Sequence, residues 1–547
     1  MSLLLDDAHR TVFREPSTVD TSSNVPKERW HLAVATTAFI VYVLVARWLM
    51  YTRGFEIGDA LTKTSAAQHV IASRDPHLAA MGFYWMPLPQ LSQLLFVLVL
   101  QQVGYAQFAG PLTSACWGAG VVLVLAAVGR AAGAPRWLRI GLTVAYAFSP
   151  VAIWSSANGM SEASSFFFLA LTLLGYTRWV QRRNPAALAV MAVALGGLML
   201  CRYEALPVAA GMAVCCALQT KRDKWVSTAV LVMLPTLYMF GLWLFASQLI
   251  MKDAFFWLKT LIRIGKASGT GASIYASNPT VVDMVRFGLL MTIVISLLLL
   301  VLLPSVLSRR WHRFLRNVGF AVPGLVFPAI VFIQQFRGTA PGQTRYYYPA
   351  WIVGVVVAFD VAQRLEQRAD TRRITILRPL AWAGLGAVAV ASLASQVIGL
   401  SSARVATVES EHLLFAPLIG RESPAADAAT LRDKSAGWKL LFAVTDGELA
   451  RGAHLMLDTD TSPDGPLFTR HADQLVIPED RDFEQTLAAP EGRVEYVAVR
   501  VSAIGSSSRY LPSMMAIVDS TTKGTWTKIA EYGTAPNFMI ALYRATP

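Results

Sequence analysis

The chain has 547 residues, of which 54% are hydrophobic and 15% charged, with a mean hydropathy of +0.45. That balance excludes a soluble globular protein of this size and puts most of the chain in a bilayer. The net charge of +13 would suit nucleic acid, but in a chain with many spans it is the charge of basic cytoplasmic loops facing anionic lipid, so no nucleic-acid partner is expected.

Residues 1–29 are polar and read as a short disordered cytoplasmic tail. The first apolar run, 32–51, is long enough to cross hydrocarbon and is followed by no small-residue cleavage site, so it reads as a retained span. Further spans are expected at 111–129, 137–157, 163–180, 185–201, 204–219, 225–250, 285–305, 317–334, 346–363 and 376–400, which makes about eleven crossings. The apolar stretch 90–103, bracketed by Pro87, Pro89 and Gly104, is short for a crossing and reads as an interfacial or re-entrant helix. With that stretch left out, the loops on one side carry 22 Lys and Arg and those on the other carry 10. The bias predicts a cytoplasmic N-terminus and an extracytoplasmic C-terminus.

Residues 30–400 therefore read as a transmembrane domain, with a first outer loop at 53–89 and a second, Gly- and Ser-rich and mobile, at 252–283. From 401 to 547 the pattern changes to a separate extracytoplasmic α/β domain. Strands are expected at 454–460, 494–501, 526–532 and 538–545, and helices at 436–450 and 508–520. Cys116, Cys201, Cys215 and Cys216 all lie in apolar runs, with no disulfide or zinc spacing.

Polar residues gather on the outer side. Asp59, Asp75 and His77 lie in the first loop, with the two aspartates expected within reach of each other. NGMSE with Glu162 sits at the mouth of a span, CRYEA with Arg202 and Glu204 makes a turn, and GQTRYYYP with Arg345 and Tyr346 caps another span. Ionisable residues at membrane depth are costly, which makes function the default reading for Glu162, Arg202 and Glu204. Plainer readings stand beside it. Arg202, Glu204 and Glu162 would pair simply to hold helix ends, Arg345 with its tyrosines would form an interfacial belt, and Asp59 would N-cap a helix over 60–72. His77 after Asp75-Pro76 reads as a capped turn, and His412, His454 and His471 read as surface residues. The acids of Asp458-Thr459-Asp460 have the look of a metal motif, at a spacing that chance often produces. No cofactor is assigned, and a divalent metal is left open.

In order and spacing, residues 30–400 resemble the GT-C class of membrane glycosyltransferases, and within it the family 39-like enzymes, which include the protein O-mannosyltransferases and the lipid A aminoarabinose transferase. The resemblance implies a polytopic helical fold and a mannosyltransferase-like enzyme. It implies Asp59 as the catalytic carboxylate, Glu162 as the second acidic position, and Arg202 and Arg345 as contacts to the donor phosphate, with Asp75, His77, Glu204 and Tyr346 in support. The first loop departs from the family in reading Gly-Asp-Ala where many members have Gly-Asp-Glu, and Glu162 stands where Asp is more usual.

The chemistry asks for these residue types in its own right. A polyprenyl-phosphate sugar leaves its phosphate as a stable anion and needs cations, which guanidinium supplies in a bidentate fashion. The acceptor hydroxyl needs a base within hydrogen-bond reach. One displacement at the anomeric carbon inverts its configuration. The expected partners are the lipid-linked donor, a hydroxyl acceptor on protein, lipid or glycan, and membrane lipid. The competing class is a transporter or flippase of lipid-linked sugars, which would also need intramembrane charge. None of the asparagines opens a usable Asn-x-Ser/Thr sequon, which points to a prokaryotic cytoplasmic membrane.

Overall fold

The computed structural model describes residues 28–267, 311–336, 344–367, 372–402, 412–420, 435–459, 463–501, 510–519, 525–533 and 539–546. Its larger part is a helical bundle. Helix α1 (Trp30–Arg47) runs on through a π turn at Trp48–Thr52, and α2 (Gly58–Ala72) follows in the first loop. Next come two short helices, α3 (Pro87–Leu91) and α4 (Leu94–Gln102), and then α5 (Ala109–Ala131), α6 (Arg136–Ala147), α7 (Pro150–Ala157), α8 (Glu162–Arg182), α9 (Pro185–Met199) and α10 (Ala205–Leu218). The bundle is completed by α11 (Trp225–Met251), α12 (Phe256–Ala267), α13 (Trp311–Phe336), α14 (Pro349–Gln367) and α15 (Arg372–Leu400).

Among the described residues, five helical stretches are long and apolar enough to cross a bilayer: Trp30–Thr52, Ala106–Ala131, Arg222–Met251, Arg345–Glu366 and Trp382–Leu400. A sixth is reached if α6 and α7 are taken as one broken span, so the expected eleven crossings are not reproduced. The reasons are physical. At 1.5 Å per residue, α9 and α10 are about 21–23 Å long, short of a hydrocarbon core of about 30 Å. Helix α8 begins on Glu162 and ends on Arg182, and the stretch 285–305 lies outside the described residues. The span expected over 137–157 is two helices bent by 53°. Pro150 forces Ser149 into an extended conformation (ψ 150°), and the Ser149 hydroxyl then caps α7 by accepting from the Ala152 amide.

The stretch 90–103 does not cross. Helix α4 has nine residues, with Val97 and Gln101 buried and Leu95, Leu98 and Val99 exposed. Such a short helix with one apolar face open suits the membrane interface. Around it, the bundle has a continuous apolar core, with Tyr42, Tyr146, Trp154 and Tyr176 almost fully buried. Helices α8 and α9 approach closely at Gly175, where a Cβ would stand 2.7 Å from the Met191 backbone nitrogen. In contrast, the Arg222–Met251 stretch is only 17% buried and presents Leu234, Leu237 and Phe245 outward, the surface of a lipid-facing helix.

The C-terminal region holds one five-stranded sheet in the order β2-β1-β3-β5-β4, built from β1 (Leu455–Leu457), β2 (Leu475–Val476), β3 (Tyr496–Arg500), β4 (Trp526–Tyr532) and β5 (Ile540–Ala545). Strands β2, β1 and β3 run parallel, and β5 and β4 pair antiparallel. Alternate residues go to opposite faces. Leu455, Leu457, Tyr496 and Ala498 pack under α16 (Ala436–Leu449), while Met456, Val497 and Val499 pack with Phe483 of α17 (Phe483–Ala488) and Met514 of α18 (Leu511–Val518). The four expected strands and two expected helices are found within a few residues of their predicted bounds. Strand β2 is new: it is two residues long and gives no period to read.

This region is docked on α2. At their meeting, His69 is buried, with Nε2 3.0 Å from the Ser65 hydroxyl and Nδ1 3.9 Å from Glu479 Oε2. Burial pushes the imidazole down to about 3, so the folded protein holds it neutral. The unfolded chain takes up a proton below about pH 6.5 and the folded chain does not. Stability is therefore full above that pH and is expected to fall by up to about 1.4 kcal/mol per pH unit between pH 6.5 and 5, before ordinary carboxylates titrate. Thermal unfolding in detergent across this range checks the slope, and His69→Gln removes it.

Candidate active site

The site is assembled from the N-terminal ends of four helical elements. Asp59 is in the first turn of α2, Glu162 opens α8, Glu204 is the residue before α10, and Arg345 lies in the short 3-10 turn Thr344–Tyr347 ahead of α14. Helix N-termini favour negative charge, so the three carboxylates sit where the backbone welcomes them. Arginines have no such local reason to be there. Their local partners are the carboxylates they meet.

One buried oxygen organises the cluster. Glu162 Oε1 accepts from Arg202 Nη1 at 3.2 Å and lies 3.7 Å from Arg345 Nε. Arg202 also pairs with Glu204, at 3.2 Å between Nη2 and Oε1. Arg345 Nη2 donates to Asp59 Oδ2 at 3.4 Å. The Tyr346 ring lies beneath both guanidiniums, 4.9 Å from that of Arg202 and 5.5 Å from that of Arg345. Exposure grades across the group: the Glu162 side chain is 2% exposed and that of Asp59 is 42%. The cluster is thus closed at Glu162 and open at Asp59. The second oxygen of Glu162 is buried and has no hydrogen-bond partner among the described residues.

A residue that the sequence reading missed completes the charge balance. Lys63, one turn after Asp59 on α2, is 3% exposed; its Nζ donates to the Asp59 carbonyl at 3.3 Å and stands 4.4 Å from the Trp85 ring centroid. The signal was present as a lysine four residues from the key aspartate on one helix face. Asp59, Glu162 and Glu204 now face Lys63, Arg202 and Arg345, three acids against three bases. The aromatic run Phe83-Tyr84-Trp85, just ahead of α3, also contributes here. The Tyr203 ring stacks 4.1 Å from that of Trp257 on α12, and its hydroxyl donates to the Tyr84 carbonyl at 3.3 Å.

The NGMSE turn holds Glu162 in place. Asn158 Oδ1 accepts from the Met160 amide at 2.9 Å, and Gly159 has φ +78°. A Cβ there would stand 3.0 Å from Pro111 Cδ and 3.2 Å from Ala60 Cβ, so the turn packs directly against the start of α2, beside Asp59.

Several expectations are corrected. Asp59 and Asp75 are not within reach of each other: Asp59 is in the first turn of α2 and Asp75 follows its far end, with a 15-residue helix of about 22 Å between them. Asp75 pairs instead with Arg481 of the C-terminal region, and the His77 ring closes on the Asp75 carbonyl at 2.6 Å, as the capped-turn reading has it. Asp59 does not cap its helix. The N-cap position is Ile57, no side chain caps α2, and the Asp59 carboxylate turns to Arg345. The loop expected over 252–283 begins as the amphipathic helix α12, and residues 268–283 lie outside the described residues. His412 is 1% exposed rather than at the surface. Asp458 is buried, Asp460 lies outside the described residues, and among the described residues no group of three or more His, Cys, Asp or Glu is placed to hold a metal ion. All four cysteines are free thiols.

No family model and no curated protein matches the chain. Among solved structures it is similar to ArnT from Cupriavidus metallidurans bound to undecaprenyl phosphate, at 13% identity and a TM-score of 0.49, over 95% of this chain and 99% of that one. It is also similar to the apo oligosaccharyltransferase of Archaeoglobus fulgidus, at 11% identity and a TM-score of 0.42, over 89% of this chain and 71% of that one.

Proposed function

We propose that the chain is an inverting glycosyltransferase that moves a sugar from a polyprenyl-phosphate donor to a hydroxyl acceptor at the extracytoplasmic face of the membrane. The observation that carries the reading is the pair of guanidiniums sharing buried Glu162, with the open carboxylate Asp59 on one of them. Arg202, Arg345 and Lys63 are preorganised cations for a leaving phosphate. The unpartnered oxygen of Glu162 is an acceptor for a sugar hydroxyl, since a buried acceptor gains from any donor placed against it.

The resting charge balance suggests how the base is released. Asp59 spends part of its charge on Arg345. An incoming phosphate competes for the Arg345 donors and frees Asp59 to face the acceptor. The acceptor oxygen then forms its bond to the anomeric carbon as the bond from that carbon to the phosphate oxygen breaks. The hydroxyl proton passes to Asp59, and the lipid phosphate leaves with the electron pair. Five of the six charged side chains sit at or beside helix ends, and Lys63 lies one turn into α2, an arrangement that favours an enzyme over a flippase with charges along mid-span helices.

The test is a panel of radiolabelled polyprenyl-phosphate monosaccharides, the mannosyl donor first, incubated with the purified protein and an acceptor fraction. Release of free lipid phosphate from one donor is expected. Tight binding of the lipids with no release from any of them would overturn the enzyme and favour transport.

A further inference from the structure

The C-terminal region meets the bundle mainly along α2 and the residues flanking it. Just before the helix, Glu56 is 2% exposed and pairs with Lys439 Nζ of α16 at 3.0 Å. Within the helix, Leu61 packs with Leu467, and Gln68 Nε2 donates to the Pro466 carbonyl at 3.0 Å. Beyond it, Arg74 donates to Asp480 at 3.0 Å and also to Asp482, while Arg481 Nε donates to Asp75 at 2.8 Å. Helix α4 is held by the same region, as Gln101 Nε2 donates to the carbonyls of Thr469 and Arg470 at 3.0 and 3.2 Å.

Two features give this contact a direction. At about 100° per residue, Leu61 and Gln68 lie about 200° and 180° around α2 from Asp59, whereas Lys63 lies about 40° away. The grip is therefore on the side of the helix opposite the charge cluster. The residues that grip follow the carboxyl ends of the parallel strands: 465–470 come after β1, and 479–482 come after β2. In open α/β sheets that edge is where a ligand is received. Here it receives the end of α2 instead.

We propose that the C-terminal region is a positioning element for the transfer reaction, holding α2 from behind so that Asp59 and Lys63 are fixed against Arg345. The proposal rests on the glycosyltransferase reading. Its force comes from geometry: moving a reacting group by about 1 Å costs on the order of 100-fold in rate, even when the altered residue is remote. A sheet docked only for stability would leave turnover untouched once folded.

The test uses the Asp75–Arg481 pair, which lies beyond the site at the far end of α2. Arg481→Glu sets like charges against each other, and the double variant Asp75→Arg with Arg481→Glu restores attraction. In the full-length protein, Arg481→Glu is expected to raise amide hydrogen exchange across 58–72 and to lower kcat by about tenfold or more, with the donor KM within twofold. The double variant is expected to recover both. Raised exchange with unchanged kcat, or a change in KM alone, would overturn the positioning role, and so would exchange that does not respond to Arg481→Glu in an active protein. A wild-type protein with no turnover on any donor would overturn the transferase reading and this proposal with it, while the exchange arm would still report the grip.

Discussion

An Asp59→Asn protein is expected to lose about a thousandfold in kcat while keeping its affinity for the lipid-linked donor. The substitution keeps shape and volume and removes the one open carboxylate of the cluster, whose side chain is 42% exposed. The carboxylate meets Arg345 at 3.4 Å, a long contact in a partly solvated place, so little stability is at stake. The freed Arg345 donors then have the phosphate to themselves, and donor affinity is expected to hold or rise. Single-turnover release of lipid phosphate gives the first quantity, and equilibrium binding of the labelled donor gives the second. Turnover within threefold of wild type would remove Asp59 as the base and send the search to another acceptor in the cluster. Loss of donor binding together with turnover would instead make Asp59 part of the phosphate site.

How much of this was legible in the sequence depended on the range over which each signal acts. Apolar runs such as 225–250 reported their helices directly, because burial in lipid is a property of a whole segment. Pro150 was equally local and should have broken the span at 137–157, but the hydropathy window ran across it. Apart from Lys63, the charged residues of the site were visible one by one, since each violates the apolar background. Their pairing was not. Arg345 is 286 residues from Asp59, and nothing in either neighbourhood says that they meet. Asp75 shows the same limit in reverse: close to Asp59 in sequence, it is separated from it by a rigid 15-residue helix and bonded to a residue 406 positions away. Lys63 escaped notice because a lysine in a loop helix usually ends in water, and only the fold shows this one buried over Trp85.

The second large effect is expected at Glu162. Glu162→Gln removes a charge that is 2% exposed and holds Arg202 at 3.2 Å and Arg345 at 3.7 Å through a single oxygen. Breaking a buried ion pair by deleting one partner costs about 3–5 kcal/mol, because the opposite charge is left uncompensated where water cannot reach it. Arg202 keeps Glu204 and is partly protected. Arg345 keeps its 3.4 Å contact to the more exposed Asp59, so it is expected to swing toward the open side of the cluster. Stability and turnover should therefore both fall, in contrast to Asp59→Asn, where turnover falls alone. Glu162→Asp supplies the control, since it keeps the charge and shortens the reach by one methylene. It is expected to recover most of the thermal stability and part of the turnover. Thermal unfolding in detergent, with and without bound donor, measures the first effect, and lipid-phosphate release measures the second. A Glu162→Gln protein as stable and as active as wild type would show that the two arginines do not depend on that carboxylate, and the phosphate site built on it would have to be abandoned.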